Sequence, residues 1–230
     1  RAAEEEAAGV KAPHPTDVLF KKLNAKVTEL DSQDPSYAQI SAALVNTATP
    51  AVGNAFLCGW RACENHLPQV DAIFEIDRQG EADRFRRYHE TVPHNRQLLW
   101  HGTNVSAGAA IMSGGLRIMP HSGGRGGKGI YFANESNKSG YYTTKNNSGE
   151  AIIFLAEVAV GDSDEIIHDS GTVQRLTSAP HGYDSLLAKG QSRPDPSGDV
   201  EIVLNEPDGA YPATLATGKP TCRINKALDG

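Results

Sequence analysis

The segment of this sequence most suggestive of ligand chemistry is a run with five glycines in eight residues, Ser122–Gly129. Because glycine has no side chain, such a run can let the backbone approach a phosphate group closely. The phosphate-loop pattern needs Ser or Thr after its lysine, but Gly129 follows Lys128. A three-glycine dinucleotide fingerprint that opens a helix is also absent. From composition alone, the run is therefore more typical of a flexible surface loop.

Three single side chains could also contact a ligand, but each is ambiguous when it is taken alone. Without its surrounding motif, His101 is more typical of a buried structural histidine than of a ligand contact, and Tyr131 is also typical of an aromatic residue in the core of a strand. Arg117 is equally typical of an arginine solvated at the surface. Chemistry at these positions therefore depends on the motifs that surround them.

The three cysteines, Cys58, Cys63 and Cys222, argue against a zinc site. The close pair has four residues between its members, and no second pair of His or Cys has matching spacing. We therefore expect no bound metal. Such sparse use of cysteine suits a reducing compartment, which predicts an intracellular location.

Composition limits the partners further. The 230 residues fit one large domain or two small ones, and 22 Lys and Arg against 28 Asp and Glu give a net charge of −6. This charge argues against a broad surface for nucleic acid. No apolar run approaches the ~20 residues of a membrane helix. We expect neither nucleic acid nor a membrane as a direct partner.

The N-terminal part of the chain is predicted to be a linker followed by two helices. Residues Arg1–Pro15 are rich in Ala and Glu and are broken by prolines, which predicts a linker or a disordered start. Apolar residues at intervals of one, three and four predict a helix over Thr16–Leu30. Turn residues follow, and a second helix is predicted over Tyr37–Leu44, ending before Asn46.

Short strands and helices are predicted in the rest of the chain. We expect strands over Val70–Ile76 and Gln97–Trp100, with a charged helix over Glu81–Tyr88 between them. The later elements predicted are a helix over Ala109–Ser113, a strand over Gly129–Ala133, a helical turn over Asn137–Tyr142 and the longest strand over Ala151–Val160. This pattern predicts an α+β fold with a mixed, largely antiparallel sheet.

An ordered set of motifs gives a more specific interpretation of the candidate ligand-contacting residues. The motifs are Leu98-Leu-Trp-His-Gly102, Gly115-Leu-Arg-Ile118, Gly127-Lys-Gly-Ile-Tyr-Phe-Ala133, Lys138-Ser139 and Tyr142. Together they resemble the catalytic domain of the poly(ADP-ribose) polymerases, and the resemblance extends from Thr16 to Pro220. Met119-Pro-His-Ser-Gly-Gly most resembles the DNA-damage-associated branch of that family. The resemblance implies the split-sheet ADP-ribosyltransferase fold with short flanking helices.

The resemblance implies transfer of ADP-ribose from NAD⁺ to a protein side chain, with release of nicotinamide. The bond to nicotinamide breaks with oxocarbenium character, so the protein must hold the leaving amide and both riboses. Gly102 would place its backbone N–H and C=O against the carboxamide, and the Ser139 hydroxyl would donate a further hydrogen bond to it. His101 would hydrogen-bond the ribose of the adenosine half and position the dinucleotide.

The resemblance implies three further contacts to NAD⁺. Tyr142 would stack on the charged pyridinium ring, and Tyr131 would form the opposite wall of the pocket. Arg117 would face the adenosine and diphosphate, where a guanidinium suits oxygen acceptors. The glycine-rich run would occupy the place of the family's donor loop and stay mobile until NAD⁺ binds. His101 and Tyr131 are thus the expected catalytic pair.

The glutamate that completes the triad of the family's polymerising members has no match here. Asn205-Glu206 imitates its context, but Pro207 follows and excludes a central strand. We therefore expect Glu206 to lie in a loop or hairpin. Either the chain stops before the strands that carry the glutamate, or the protein has lost that half of the site. A general base of this kind contributes about 10²–10⁴-fold to rate.

The resemblance implies a domain layout. Residues 1–15 form the linker, 16–50 the end of a helical regulatory region and its connection, and 51–230 the catalytic domain without its C-terminal strands. A partner or a further stretch of chain would then have to cover an exposed sheet edge.

Three functions remain open. The first is a poly- or mono-ADP-ribosyltransferase that uses NAD⁺ as substrate and modifies acceptor proteins or itself. The alternative is an inactive transferase-fold domain that serves as a structural or interaction subunit. The third is a mono-ADP-ribosyltransferase in which substrate assistance replaces the glutamate. The family resemblance suggests the nucleus, although no basic cluster supports that location.

Overall fold

The computed structural model of the chain describes residues 21, 23–48, 67–120, 123–167, 171–190, 192–206 and 209–222. The predicted linker, Arg1–Pro15, and two of the cysteines, Cys58 and Cys63, lie outside these ranges. The described residues form an α+β fold in which most strand pairs are antiparallel, as predicted.

A four-stranded sheet carries the centre of the fold. Its strands are β3 (Arg96–Gly102), β4 (Ile153–Ala159), β8 (Val200–Glu206) and β9 (Gly209–Leu215), in the order β4-β3-β9-β8. Strand β3 pairs antiparallel with β4 and parallel with β9. Strands β8 and β9 form a hairpin in which Glu206 pairs with Gly209, so the prediction of a hairpin there is confirmed.

The described residues also form three two-stranded sheets, two antiparallel and one parallel. The antiparallel pairs are β1 (Ala25–Glu29) with β2 (Phe74–Arg78) and β7 (Ser192–Pro194) with β10 (Pro220–Cys222); the parallel pair is β5 (Ser163–Ile166) with β6 (Ser185–Ala188).

Four α-helices are described in full. They are α1 (Pro35–Ala48), α2 (Glu81–His89), α3 (Val105–Gly114) and α4 (Ser136–Gly140), with short 3₁₀ turns at Val173–Arg175 and Pro196–Gly198. All four were predicted from the sequence, with ends that differ by a few residues. Within the described ranges, no helix has the length and hydropathy needed to cross a membrane.

The helix predicted over Thr16–Leu30 is wrong in its second half. Ala25–Glu29 is strand β1, whose Val27 pairs with Ile76 of β2. Asn24 has φ 52°, a left-handed conformation that interrupts a helix, and it directly precedes the strand. The apolar spacing therefore matched a helix by coincidence, whereas pairing with a distant strand decides the structure.

The strand predicted over Gly129–Ala133 is reduced to a single bridge, between Ala133 and Trp100. Its other backbone groups have different partners, since Lys128 N–H donates to the Leu176 carbonyl and the Tyr131 carbonyl lies against a side chain. The strand predicted over Ala151–Val160 is confirmed as β4, but at seven residues it is no longer than β3, β8 or β9.

The core lies between α1 and the four-stranded sheet. Leu98 and Trp100 of β3 alternate with less buried residues, as expected for a strand with one covered face. They cluster with α1, β8 and β9 through Ala43, Leu44, Ile202, Ala213 and Leu215. Removing these apolar surfaces from water is the main stabilising term of such a fold. Helix α1 is therefore part of the same core as the sheet.

Asp34 caps the start of α1. Its Oδ1 accepts hydrogen bonds from the backbone N–H of Ser36 at 2.8 Å and from the Ser36 hydroxyl at 2.6 Å. These two bonds, the hydroxyl's first, lower the pKa of Asp34 below its ordinary value. The ionised carboxylate therefore stabilises the folded state.

We expect Asp34→Ala to lower the melting temperature at pH 7. A depressed carboxyl pKa contributes stability above the unfolded value of about 3.9, and that contribution is lost as pH falls through the folded pKa. The difference from the wild type should therefore shrink towards pH 3, as thermal unfolding by circular dichroism would measure. Asp71→Ala, at an exposed position outside the helices and strands, is the control. An equal loss at both pH values would contradict the capping role.

Candidate functional site

The candidate site lies at the C-terminal end of β3. Trp100 N–H donates to the Ala133 carbonyl at 2.8 Å, and Ala133 N–H donates to the Trp100 carbonyl at 3.0 Å. Because backbone groups alternate along a strand, the N–H and C=O of Gly102 point to this same edge, away from β4. The backbone N–H and C=O of Gly102 thus lie side by side, two residues beyond the bridge between Trp100 and Ala133. This is the pairing that a carboxamide requires.

Gly102 is packed against α4 so closely that no side chain fits. A Cβ atom built on Gly102 would come 1.7 Å from the carbonyl oxygen of Ser139. That oxygen also accepts a hydrogen bond from Tyr142 N–H at 3.0 Å, so it is fixed by the end of the helix. Glycine at this position is therefore required by packing.

The Ser139 hydroxyl has a partner within the protein. Ser139 is 4% exposed, and its Oγ donates to the Trp100 carbonyl oxygen at 2.8 Å. This bond ties α4 to β3 directly beside Gly102. The predicted donation to a ligand would require the hydroxyl proton to turn away from Trp100, whereas the lone pairs of Oγ can accept from an amide NH₂ in the observed geometry.

The ring of His101 is held from one side. Its Nδ1 lies 2.8 Å from the carbonyl oxygen of Tyr131, and its ring packs edge-on against Phe132. A carbonyl oxygen only accepts, so Nδ1 must carry the proton in this bond. In the neutral imidazole Nε2 is then an acceptor, which is what a positioned ribose hydroxyl needs.

Tyr131 links His101 to the glycine-rich run. Its hydroxyl donates to the Gly127 carbonyl at 2.6 Å and accepts from Gly126 N–H at 3.1 Å. A Cβ atom on Gly124 would lie 2.9 Å from the same hydroxyl. The glycines therefore let the loop close tightly around the end of this ring.

The C-terminal side of the run is anchored as well. Gly127 has φ +82°, and a Cβ there would come within 2.4 Å of the Leu176 carbonyl oxygen. Lys128 N–H donates to that same oxygen at 2.7 Å. The described part of the run is thus held by Tyr131 and Leu176, while mobility before NAD⁺ binds stays a prediction.

We expect Tyr131→Phe to loosen this loop while it keeps the aromatic wall. The variant loses both hydroxyl bonds, and one net hydrogen bond corresponds to about 0.5–1.5 kcal/mol, or roughly 2- to 10-fold in an opening equilibrium. Tryptic cleavage after Arg125 should accelerate by that factor, as peptide mass spectrometry would measure. Tyr183→Phe is the control, because Tyr183 is equally exposed at 45%. Unchanged cleavage would show that the hydroxyl does not hold the loop.

Tyr142 is an exposed aromatic residue beside α4. It is 56% exposed, and Tyr141 packs edge-on against it at 5.4 Å between ring centroids. Lys138 Nζ lies 5.9 Å from the Tyr142 ring centroid, within the range of a cation–π contact. The sequence motif included Lys138 without a role, and no signal in the sequence indicated this contact.

Arg117 is not joined to the other predicted residues by the contacts the structure describes. It is exposed, and its Nε donates to the Gly114 carbonyl at 3.2 Å, at the C-terminal end of α3. A guanidinium there interacts favourably with the negative end of the helix dipole. The other five residues, His101, Gly102, Tyr131, Ser139 and Tyr142, are connected through one set of contacts around the end of β3.

One group of side chains is close enough to share a metal ion. Among the described residues, His94, Asp162 and Asp184 bring ligand atoms within 4.8 Å of one another. All three are exposed, and the pair His94 Nε2 and Asp162 Oδ1 lies at 3.3 Å. None of the predicted NAD⁺-contacting residues belongs to this group.

The chain is similar to known proteins over most of its length. A family model described as the poly(ADP-ribose) polymerase (PARP) catalytic domain matches residues 60–215. A mouse (Mus musculus) relative named "Protein mono-ADP-ribosyltransferase PARP3" is 42% identical over 220 residues, 94% of this chain and 37% of that protein. The human (Homo sapiens) protein of the same name is 39% identical over 207 residues, 88% of this chain and 35% of its own length.

A zebrafish (Danio rerio) relative named "Poly [ADP-ribose] polymerase 1" is 34% identical over 193 residues, which are 82% of this chain and 17% of that protein. The chain thus spans at most 37% of the length of these three relatives. The match of the family model covers more than half of the chain and includes all six predicted site residues. The chain therefore belongs to the poly(ADP-ribose) polymerase catalytic-domain family.

Proposed function

We propose that this chain is an NAD⁺-dependent ADP-ribosyltransferase domain that binds the dinucleotide around the end of β3. The observation that carries the proposal is the backbone edge of Gly102 beside the Ser139 hydroxyl, with His101 and Tyr131 joined to it. A backbone N–H next to a backbone C=O matches both ends of a carboxamide. A ligand without the amide would leave these polar groups unpaired, which gives selectivity for nicotinamide.

His101 and the two tyrosines would orient the two halves of the dinucleotide. Nε2 of His101 accepts from a hydroxyl of the adenosine ribose, so this side chain acts by positioning the dinucleotide. Tyr131 and Tyr142 form the aromatic walls around the pyridinium ring. As the bond to nicotinamide breaks, positive charge moves from the pyridinium to the anomeric carbon, and nicotinamide leaves as a neutral molecule.

Two cationic side chains would change position when NAD⁺ binds. The ammonium group of Lys138 lies over Tyr142, where a charged pyridinium would repel it. Arg117 would exchange the Gly114 carbonyl for an oxygen of the diphosphate, a charge-assisted and therefore stronger hydrogen bond. Binding would thus release Lys138 from an aromatic face and draw Arg117 towards the ligand.

An alternative proposal is a domain that binds NAD⁺ without transferring ADP-ribose. It is favoured by one observation: the five connected site residues include no carboxylate, and Glu206 pairs with Gly209 in the hairpin. Such a domain would act as an interaction subunit, with β8 at one edge of the central sheet that the described residues form. Val203 on that strand is 51% exposed.

The two proposals differ in whether nicotinamide is released. The protein is incubated with NAD⁺, nicotinamide is quantified by chromatography, and the protein is weighed by intact mass spectrometry. A transferase releases nicotinamide and gains ADP-ribose on itself or on added acceptor proteins. Binding of NAD⁺ in calorimetry without release would favour the alternative. Absence of both binding and release would contradict the NAD⁺ site itself.

A further inference from the structure

Two buried hydrogen bonds join the end of α1 to the start of α4. The Thr47 hydroxyl donates to the Ala43 carbonyl at 2.7 Å and accepts from Ser136 N–H at 3.0 Å. The Ser136 hydroxyl donates to the Leu44 carbonyl at 2.6 Å. Thr47 and Ser136 are both 0% exposed. With water excluded, Thr47 supplies the acceptor for the first backbone N–H of α4.

Helix α4 transmits this constraint to the proposed nicotinamide contact. It is only five residues long, Ser136–Gly140, so its first residue lies within one turn of Ser139. Ser139 in turn contacts Gly102 through its carbonyl and Trp100 through its hydroxyl. A short helix is marginal alone and takes its position from such external bonds.

We infer that Thr47 and Ser136 are positioning residues for the nicotinamide-binding part of the site. This inference rests on the proposed function, since it concerns the same pocket. Thr47 touches no reacting atom. It holds α4 in the position in which the Ser139 carbonyl contacts Gly102 and the Ser139 hydroxyl donates to the Trp100 carbonyl.

The two halves of NAD⁺ depend on different contacts, which makes the inference specific. The carboxamide meets Gly102 and Ser139, both next to α4. The ADP-ribose half meets Nε2 of His101, whose ring is held by Tyr131 and Phe132 instead. Loss of the hydrogen bond between Ser136 N–H and the Thr47 hydroxyl should therefore weaken the binding of nicotinamide selectively. A general loss of structure would weaken the binding of both ligands.

The test compares Thr47→Val, which removes the hydroxyl at nearly constant volume, with Thr47→Ser, which keeps it. Dissociation constants are measured separately for nicotinamide and for ADP-ribose, with thermal unfolding as a check of folding. Thr47→Val should raise the dissociation constant of nicotinamide about 5- to 30-fold, the ratio that corresponds to one or two kcal/mol. The dissociation constant of ADP-ribose should stay within about twofold of the wild-type value. Thr47→Ser should bind both ligands like the wild type.

Ser136→Ala provides a second variant if Thr47→Val does not fold. It removes the bond to Leu44 and keeps the N–H donation to Thr47, so a smaller selective loss of nicotinamide affinity is expected. An equal loss of affinity for both ligands, or an unchanged affinity for nicotinamide in either variant, would overturn the positioning role. Failure of the wild type to bind either ligand would instead overturn the proposed function, and this inference with it.

Discussion

Gly102→Ala is expected to reduce nicotinamide release by about 10²-fold or more, since displacing a reacting group by an ångström has effects of this size. The added methyl group cannot coexist with the Ser139 carbonyl, which would lie 1.7 Å from it. Either the end of β3 or α4 must move, and both carry proposed contacts to the carboxamide. Overpacking of this kind also costs about 1–3 kcal/mol of folding free energy. Initial rates with saturating and limiting NAD⁺, together with urea unfolding, measure both effects.

Gly108→Ala is the matched control for this variant. Gly108 is a buried glycine of α3, yet its nearest neighbours would lie 3.9–4.0 Å from a new Cβ atom, which is ordinary contact. Alanine should be accepted there and should stabilise the helix by up to about 1 kcal/mol. Equal activities of the Gly102→Ala and Gly108→Ala variants would show that close packing against α4 is not what the site needs.

His101→Phe should lower kcat/KM for NAD⁺ by about 10²-fold, because a mispositioned substrate loses most of the benefit of orientation. The phenyl ring can keep the packing on Phe132, but it removes both the bond to the Tyr131 carbonyl and the acceptor at Nε2. Dissociation constants should show weaker binding of ADP-ribose and little change for nicotinamide. This pattern is the reverse of that expected for Thr47→Val.

Two amide variants separate the roles of the two ring nitrogens. Asparagine places an NH₂ near the position of Nδ1 and can donate to Tyr131, whereas glutamine reaches the position of Nε2 and can accept from a hydroxyl. If Nε2 holds the ribose, His101→Gln should retain more activity than His101→Asn. The opposite order would indicate that the bond to Tyr131 is the essential one.

The elements around the site could be predicted because their signals are local. Helix α2, the strand at Gln97–Trp100 and the turn at Asn137–Tyr142 all follow from short-range patterns and are confirmed. Gly102 was also predicted as a site residue, but for access to a ligand alone. The contact with the Ser139 carbonyl depends on how α4 packs, which no pattern within β3 reveals.

The features that the sequence did not reveal depend on distant residues. Strand β1 resembled a helix by apolar spacing, and its partner β2 lies more than 40 positions further along the chain. The bond between Thr47 and Ser136 joins residues 89 positions apart. Neither residue type is unusual for its element, so only the packing of α1 on α4 shows that they are connected.

The pairing of β3 has a consequence for the order in which the molecule is made. Gln97 and Leu98 pair in parallel with Thr214 and Leu215, 117 positions later (97 to 214). During synthesis the edge of β3 that later presents Gly102 therefore stays without β9 until the chain has emerged as far as Leu215. Contacts this distant are slow to form, and an unpaired strand edge is prone to wrong associations. We expect refolding yield to fall with protein concentration, and NAD⁺ binding to appear only after β9 has docked.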